Sequence, residues 1–258
     1  VTLSGANTYS GGTTVSAGTL QGDTTSLQGD ITDYAAVIFS QSTDGTYAGI
    51  LSGSGALTKE GTGKLILSGA NTYTGITTVN AGILQGDTTS LRGNITDDAA
   101  VIFNQGSDGT YTGILSGLGT LTKQGIGKLI LSGANTYSGG TTVSAGTLQG
   151  DTTSLQGNIT DNAAVIFNQI SDGTYASVLS GSGSLTKQGN AKLTLSGINT
   201  YSGGTTVSAG TLEGSTTSLQ GDISNNAAVI FNQNINGTYA NVISGSGTFT
   251  KQGSATVT

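Results

Sequence analysis

Eight tyrosines recur at one fixed spacing. Tyr9, Tyr73, Tyr137 and Tyr201 form one column, and Tyr47, Tyr111, Tyr175 and Tyr239 form another. An exposed phenol ring can stack on a sugar, and its hydroxyl can hydrogen-bond. Two such columns therefore suit glycan binding or self-association. The same residue is also at home with its ring on a core edge and its hydroxyl in solvent. Lys59 and Lys64 flank the turn Glu60-Gly-Thr-Gly63. Two ammonium groups there suit an anionic sugar, or simply a solvated surface. Acids recur as Asp23, Asp87 and Asp151, as Asp33, Asp97 and Asp161, and as Asp44, Asp108 and Asp172. Calcium would need several oxygens converging at ~2.4 Å. Each column loses its acid in the last copy, where Ser215, Asn225 and Asn236 stand instead. Asn serves as well as Asp in an Asx turn, so the expectation is turn chemistry and no metal.

The spacing that orders these residues is 64. Leu-Ser-Gly-Ala-Asn-Thr-Tyr begins at Leu3, Leu67 and Leu131, and returns from Leu195 with Ile198 in place of Ala. The 258 residues divide into repeats 3–66, 67–130, 131–194 and 195–258, read as one continuous array over 1–258. Leu3 to Gly29 recurs letter for letter at Leu131 to Gly157. Val1-Thr2 matches Val257-Thr258, so the chain is expected to be a window on a longer array, without a signal peptide of its own.

Composition narrows the chemistry. Cys, His, Met, Trp and Pro are all absent. Thiol chemistry, imidazole acid–base work, disulfides and soft metal sites are thereby excluded. Eight basic and 14 acidic residues give a net charge of −6, and the basic residues are scattered, which argues against nucleic acid. No apolar run of ~18 residues is present to insert in a membrane. A polysaccharide-cleaving site would need a unique pair of carboxylates or a carboxylate–arginine cluster. Here the acids repeat with the array and Arg92 is the lone arginine, so no enzyme and no cofactor are expected.

Short runs such as Lys128-Leu129-Ile130-Leu131 and Ala99-Ala100-Val101-Ile102-Phe103 alternate with Gly, Asn, Asp and Ser clusters. The runs have β-propensity and the clusters are turn formers. The 44 glycines would penalise any helix. Position 65 and its equivalents stay apolar (Leu65, Leu129, Leu193, Val257), whereas 66 drifts from Ile66 and Ile130 to Thr194 and Thr258. Position 65 then points inward and 66 outward. Val15, Leu20, Leu27, Ile31 and Phe39 head further inward columns. Cuts at 56–75, 76–98 and 99–119 give coils of about 20 to 23 residues. The fold expected is an all-β parallel β-helix, with about three coils per repeat and about twelve in total. At ~4.8 Å per coil that rod is about 58 Å long, and equivalent residues lie about 14 Å apart in one column. Thr pairs such as Thr77-Thr78 point to opposite faces, so they build no Thr-x-Thr ice face.

The string Leu131-Ser-Gly-Ala-Asn-Thr-Tyr-Ser-Gly-Gly-Thr-Thr-Val-Ser-Ala-Gly-Thr-Leu-Gln149, preceded by Leu121-Thr-Lys-Gln-Gly-Ile-Gly-Lys-Leu-Ile130, resembles the autotransporter-associated β-strand repeat of type V secretion passenger domains. The resemblance covers about half of each repeat and implies a right-handed parallel β-helix on the outside of a Gram-negative cell. It implies a non-catalytic adhesin stalk or surface filament, extracellular in location, and carries no shared catalytic residues. Its expected partners are like solenoids, or glycans and proteins of another cell. The alternative is a self-associating adhesin that pairs laterally. A polysaccharide-active enzyme would need a site outside this window.

Overall fold

The computed structural model describes all residues 1–258. Every regular element is a short β-strand, and every strand pairing is parallel. Two compact units divide the chain, Val1–Gly139 and Gly140–Thr258. Each is a β-solenoid.

In the first unit three stacks of strands form the sides of the coil. One holds Thr19–Gly22, Ala36–Ser40, Ala56–Glu60, Thr77–Val79, Ile95–Asp97 and Leu115–Ser116. A second holds Gly45–Tyr47, Lys64–Leu67, Ile83–Gly86, Ala100–Asn104 and Thr120–Gln124. The third begins with Thr13–Val15, Ile31–Asp33 and Leu51–Gly53. It passes through two irregular segments, where Thr72 N bonds Leu51 O and Asn71 N bonds Thr89 O, and resumes at Gly109–Tyr111 and Lys128–Leu131. The second unit builds its sides the same way, for example Thr147–Gly150, Ala164–Asn168, Ser184–Gln188, Thr205–Val207, Ile223–Asn225 and Ile243–Ser244.

Alternation decides what is inside. In Lys64–Leu67 the two leucines are buried and Lys64 and Ile66 are half exposed. In Ala100–Asn104 Val101 and Phe103 go in. The apolar columns headed by Val15, Leu20, Leu27, Ile31 and Phe39 are buried in every repeat. Burying such a side chain is worth about 1.5–3 kcal/mol. With no disulfide, this narrow core and the backbone ladder carry the fold.

The coil is shorter than the sequence pattern suggests. Leu20, Val37, Leu57, Thr77, Ile95 and Leu115 sit one above another, each a single coil beyond the last. Three such steps, from Leu20 to Thr77, stop short of Leu84, the residue equivalent to Leu20 in the next repeat. From Thr19–Gly22 to its equivalent Ile83–Gly86 the chain turns through ten sides, which is three coils and one side more. Equivalent strands accordingly lie in different stacks: Thr19–Gly22 against Ile83–Gly86, and Ile31–Asp33 against Ile95–Asp97. Within the second unit, Thr147–Gly150 and Thr211–Gly214 are split between stacks in the same manner. The expected single column of equivalent residues is replaced by placement on successive sides.

One side in each repeat is closed by a turn rather than a strand. Asp87 Oδ1 accepts from Thr89 N at 2.8 Å, Thr89 Oγ1 at 2.6 Å and Ser90 N at 3.0 Å. Ser90 Oγ accepts from Asp87 N at 2.8 Å. Partial burial raises the Asp87 pKa, but these hydrogen bonds outweigh it and the net shift is downward, as at Asp23 and Asp151. Ser215 fills the role in the last repeat through Thr217 Oγ1 at 2.8 Å. Asp87→Ala is expected to cost about 1 kcal/mol in urea denaturation, the worth of a capping side chain. Asp87→Ser should recover most of that loss.

Candidate binding surface

The side chains that could do chemistry divide sharply into inward and outward. Tyr47, Tyr73, Tyr111, Tyr137, Tyr175 and Tyr201 are all buried, at most 4 % exposed, while Tyr9 and Tyr239 are half-buried. The expectation of exposed tyrosine columns does not hold for these rings. Each ring of the Tyr111 column sits edge-on against a phenylalanine: Phe103 and Tyr111 are 4.9 Å apart at 65°. Such pairs add to simple burial. The hydroxyls are engaged within the fold. Tyr111 donates to Gly93 O at 2.6 Å, and Tyr47, Tyr175 and Tyr239 bond Gly29, Gly157 and Gly221 in the same way. Tyr73 accepts from Thr77 Oγ1 at 3.1 Å and from Arg92 N at 3.2 Å. Burial drives the phenol pKa upward at Tyr47, Tyr73, Tyr111, Tyr201 and Tyr239. Tyr111→Phe is therefore expected to cost about 1 kcal/mol of stability, the net worth of a buried hydrogen bond, measured by urea unfolding. A ring serving only as a surface contact would leave stability unchanged.

The two lysines of the Gly turn part company. Lys64 is at the surface, 3.9 Å from Asp44. Such an exposed pair contributes little. Lys59, Lys123 and Lys187 are fully buried. They are not solvated charges. Lys59 Nζ donates to the carbonyls of Glu60 and Gly61 at 2.7 Å each, and of Ala81 in the next coil at 3.0 Å. Lys187 does the same to Gln188 at 2.7 Å, Gly189 at 2.8 Å and Ala209 at 3.1 Å. An ammonium has three donors, and the corner supplies three acceptors. Removal from water pulls these lysines below their ordinary pKa, to about 8 at Lys187.

The acidic columns have three different jobs. Asp23, Asp87 and Asp151 tie their own turns, as expected. Asp44, Asp108 and Asp172 reach across coils, accepting from the backbone N of Lys64, Lys128 and Lys192 at 2.8–2.9 Å, and Asn236 does so for Thr256. Asp33, Asp97 and Asp161 point inward and are buried. Asp97 Oδ1 accepts from Ala99 N at 3.0 Å. Gly119 packs flat on its carboxylate, leaving no room for a Cβ. Burial raises Asp97 and Asp161 to about 6. No three acids gather as a metal site would require.

Hydroxyls recur on the outward face, among exposed apolar side chains such as Leu118, Ile126 and Ile170. On one side of the first unit Thr58, Thr78, Thr96 and Ser116 stand in register, one per coil. In the second unit Thr186, Thr206, Ser224 and Ser244 do the same. Thr77 goes in where Thr78 goes out, as the adjacent-pair reading requires. Its members come from four different places in the repeat and are spaced 20, 18 and 20 residues apart, so neither the 64-residue period nor a fixed coil length picks them out.

Comparison with known proteins agrees with this architecture. The passenger-associated-transport-repeat matches residues 1–21, 57–85, 121–149 and 185–213, once per repeat. Over 209 residues the chain is 36% identical to a protein called adhesin BmaC autotransporter, from Brucella suis biovar 1 (strain 1330). That match takes in 66% of this chain and 6% of the relative, so the chain spans a small part of the curated protein's length. No solved structure matches.

Proposed function

Starting from a chain that is an autotransporter passenger repeat region, we propose that it serves as a non-catalytic, adhesive stretch of a bacterial cell-surface protein. The observation that carries this reading is the division of labour among its polar side chains. The recurrent acids and buried lysines are spent on turns and corners, and the outward face repeats hydroxyls and amides coil after coil. Such a surface offers many weak, identical contacts rather than one strong site, and avidity does the rest. The similarity to a protein named as an adhesin points the same way. Polystyrene beads coated with the 258-residue chain should bind cells or cell-surface glycans where albumin-coated beads do not. Inert beads would overturn the adhesive reading.

The in-register row Thr58, Thr78, Thr96, Ser116 favours a second reading, lateral pairing with a like solenoid. Sedimentation velocity across a wide concentration range separates the two. Reversible dimers lost in Thr78→Glu would establish pairing through this row. A monomer at all concentrations would sink it and leave bead adhesion to be explained by other partners.

A further inference from the structure

The side that carries the Asp87 turn is recessed, because the turn stands where a strand would otherwise fill it. The recess has a volume of about 320 Å³, and Thr72, Thr74, Arg92, Thr110 and Thr112 line it from successive coils. Arg92 is the chain's one arginine, and its equivalents are Gln28, Gln156 and Gln220. Those glutamines fold back on their own turns: Gln28 Nε2 donates to Thr24 O at 3.3 Å and Thr25 O at 3.0 Å, and Gln220 does likewise. Arg92 is held differently. Its Nε donates to Asn71 O at 2.8 Å and its Nη1 to Thr88 O at 3.4 Å. Those bonds engage Nε and Nη1 and leave Nη2 without a partner in the chain. The hydroxyls of Thr72, Thr110 and Thr112 also make no hydrogen bond within the protein, and all three residues are exposed. No carboxylate lines the recess to neutralise the arginine.

We propose that this recess binds a carboxylate-bearing sugar, a uronate unit of a glycan. The free Nη2 offers a carboxylate a charge-assisted hydrogen bond from a group that is always cationic. The surrounding threonines offer donors and acceptors to ring hydroxyls. A chain of net charge −6 repels anions in general, so a fixed cation in a carboxylate-free hollow selects its own ligand. The inference names one ligand class for the adhesive surface and rests on that reading only for its biological use, since binding is measured on the isolated chain.

The test is an amide NMR titration of the full 258-residue chain with trigalacturonate, its methyl ester and acetate. Trigalacturonate should shift the amides of Thr72, Thr74, Arg92, Gly93, Thr110 and Thr112, with a Kd in the millimolar range that weakens with salt. The uncharged ester should bind about tenfold more weakly. So should Arg92→Gln, which gives the second repeat the residue that the other three repeats carry and so preserves the fold. Acetate should be weaker again, because it lacks the ring hydroxyls. Unchanged affinity in Arg92→Gln, equal binding of the ester, or no shifts at millimolar ligand would each overturn the proposal. Acetate as strong as trigalacturonate would overturn the sugar part of it. Beads of Arg92→Gln that still capture cells would leave the adhesive reading standing without this ligand.

Discussion

Lys187→Met is expected to destabilise the protein by about 3–5 kcal/mol, seen as a lowered urea midpoint in far-UV circular dichroism. Methionine fits the slot in volume but donates nothing. The half-buried carbonyls of Gly189 and Ala209 would lose their ammonium donor, and that of Gln188 would keep only the N–H of Gln169. Each hydrogen bond to a charged group is worth about 1.5–3 kcal/mol, and the desolvation of the ammonium, which methionine does not require, offsets part of their sum. The corner joins two coils, since Ala209 lies 22 residues beyond Lys187. Hydrogen exchange should therefore quicken on both. Lys251 supplies the control. It is exposed and bonds only Gln252 and Gly253, so Lys251→Met should cost a small fraction of the Lys187 change. Equal effects at the two sites would show that the three-carbonyl corner is not what matters.

Asp161→Asn is expected to stabilise the protein at pH 8 and to change nothing near pH 4. Asp161 is raised by burial to about 6, from an ordinary 3.8. Its folded form holds a proton that the unfolded form releases between those two values. The stability tied to that proton is complete below pH 3.8, drains away as pH rises through 6, and is gone above it. The distance between the two values sets the size of the gain at pH 8, about 3 kcal/mol. Its strand lies between Thr141–Val143 and Leu179–Ser180, and Gly183 packs on its carboxylate. The fourth repeat has already made this substitution. Asn225 Oδ1 accepts from Ala227 N at 3.1 Å, as Asp161 accepts from Ala163 N at 2.9 Å, and its Nδ2 donates to Thr248 O at 2.9 Å. A neutral donor belongs there. Urea midpoints from pH 4 to 8 give the measurement, and a gap between variant and parent that ignores pH would refute the titration.

The parity of each strand was legible in the sequence, and hydropathy misread its exceptions. Leu65, Ile66 and Leu67 behave as their alignment implies. The same alternation puts Lys59 inward beside Leu57, and Tyr47 inward two positions after Gly45. Lysine and tyrosine are ordinarily surface or edge residues, so the chemical type argued against the parity, and parity won. The reason is local: free carbonyls at the corners need donors, and the narrow core needs large rings. The recess at Arg92 was legible only as an oddity, one arginine where three glutamines stand. Its hollow depends on a turn replacing a strand, which composition does not reveal. The leftover side per repeat was hidden as well, because it emerges only from strand pairing.

That leftover side makes copy number an angular variable. Sequences as alike as 3–29 and 131–157 are apt to gain or lose whole repeats by recombination. Every such event keeps the fold, since each repeat stacks on its neighbours in the same way. Within a unit it also moves whatever lies beyond it to the next side of the coil. A lineage that varies the length of this protein would thereby also re-aim a singular feature such as the Arg92 hollow, with no change in the residues that form it.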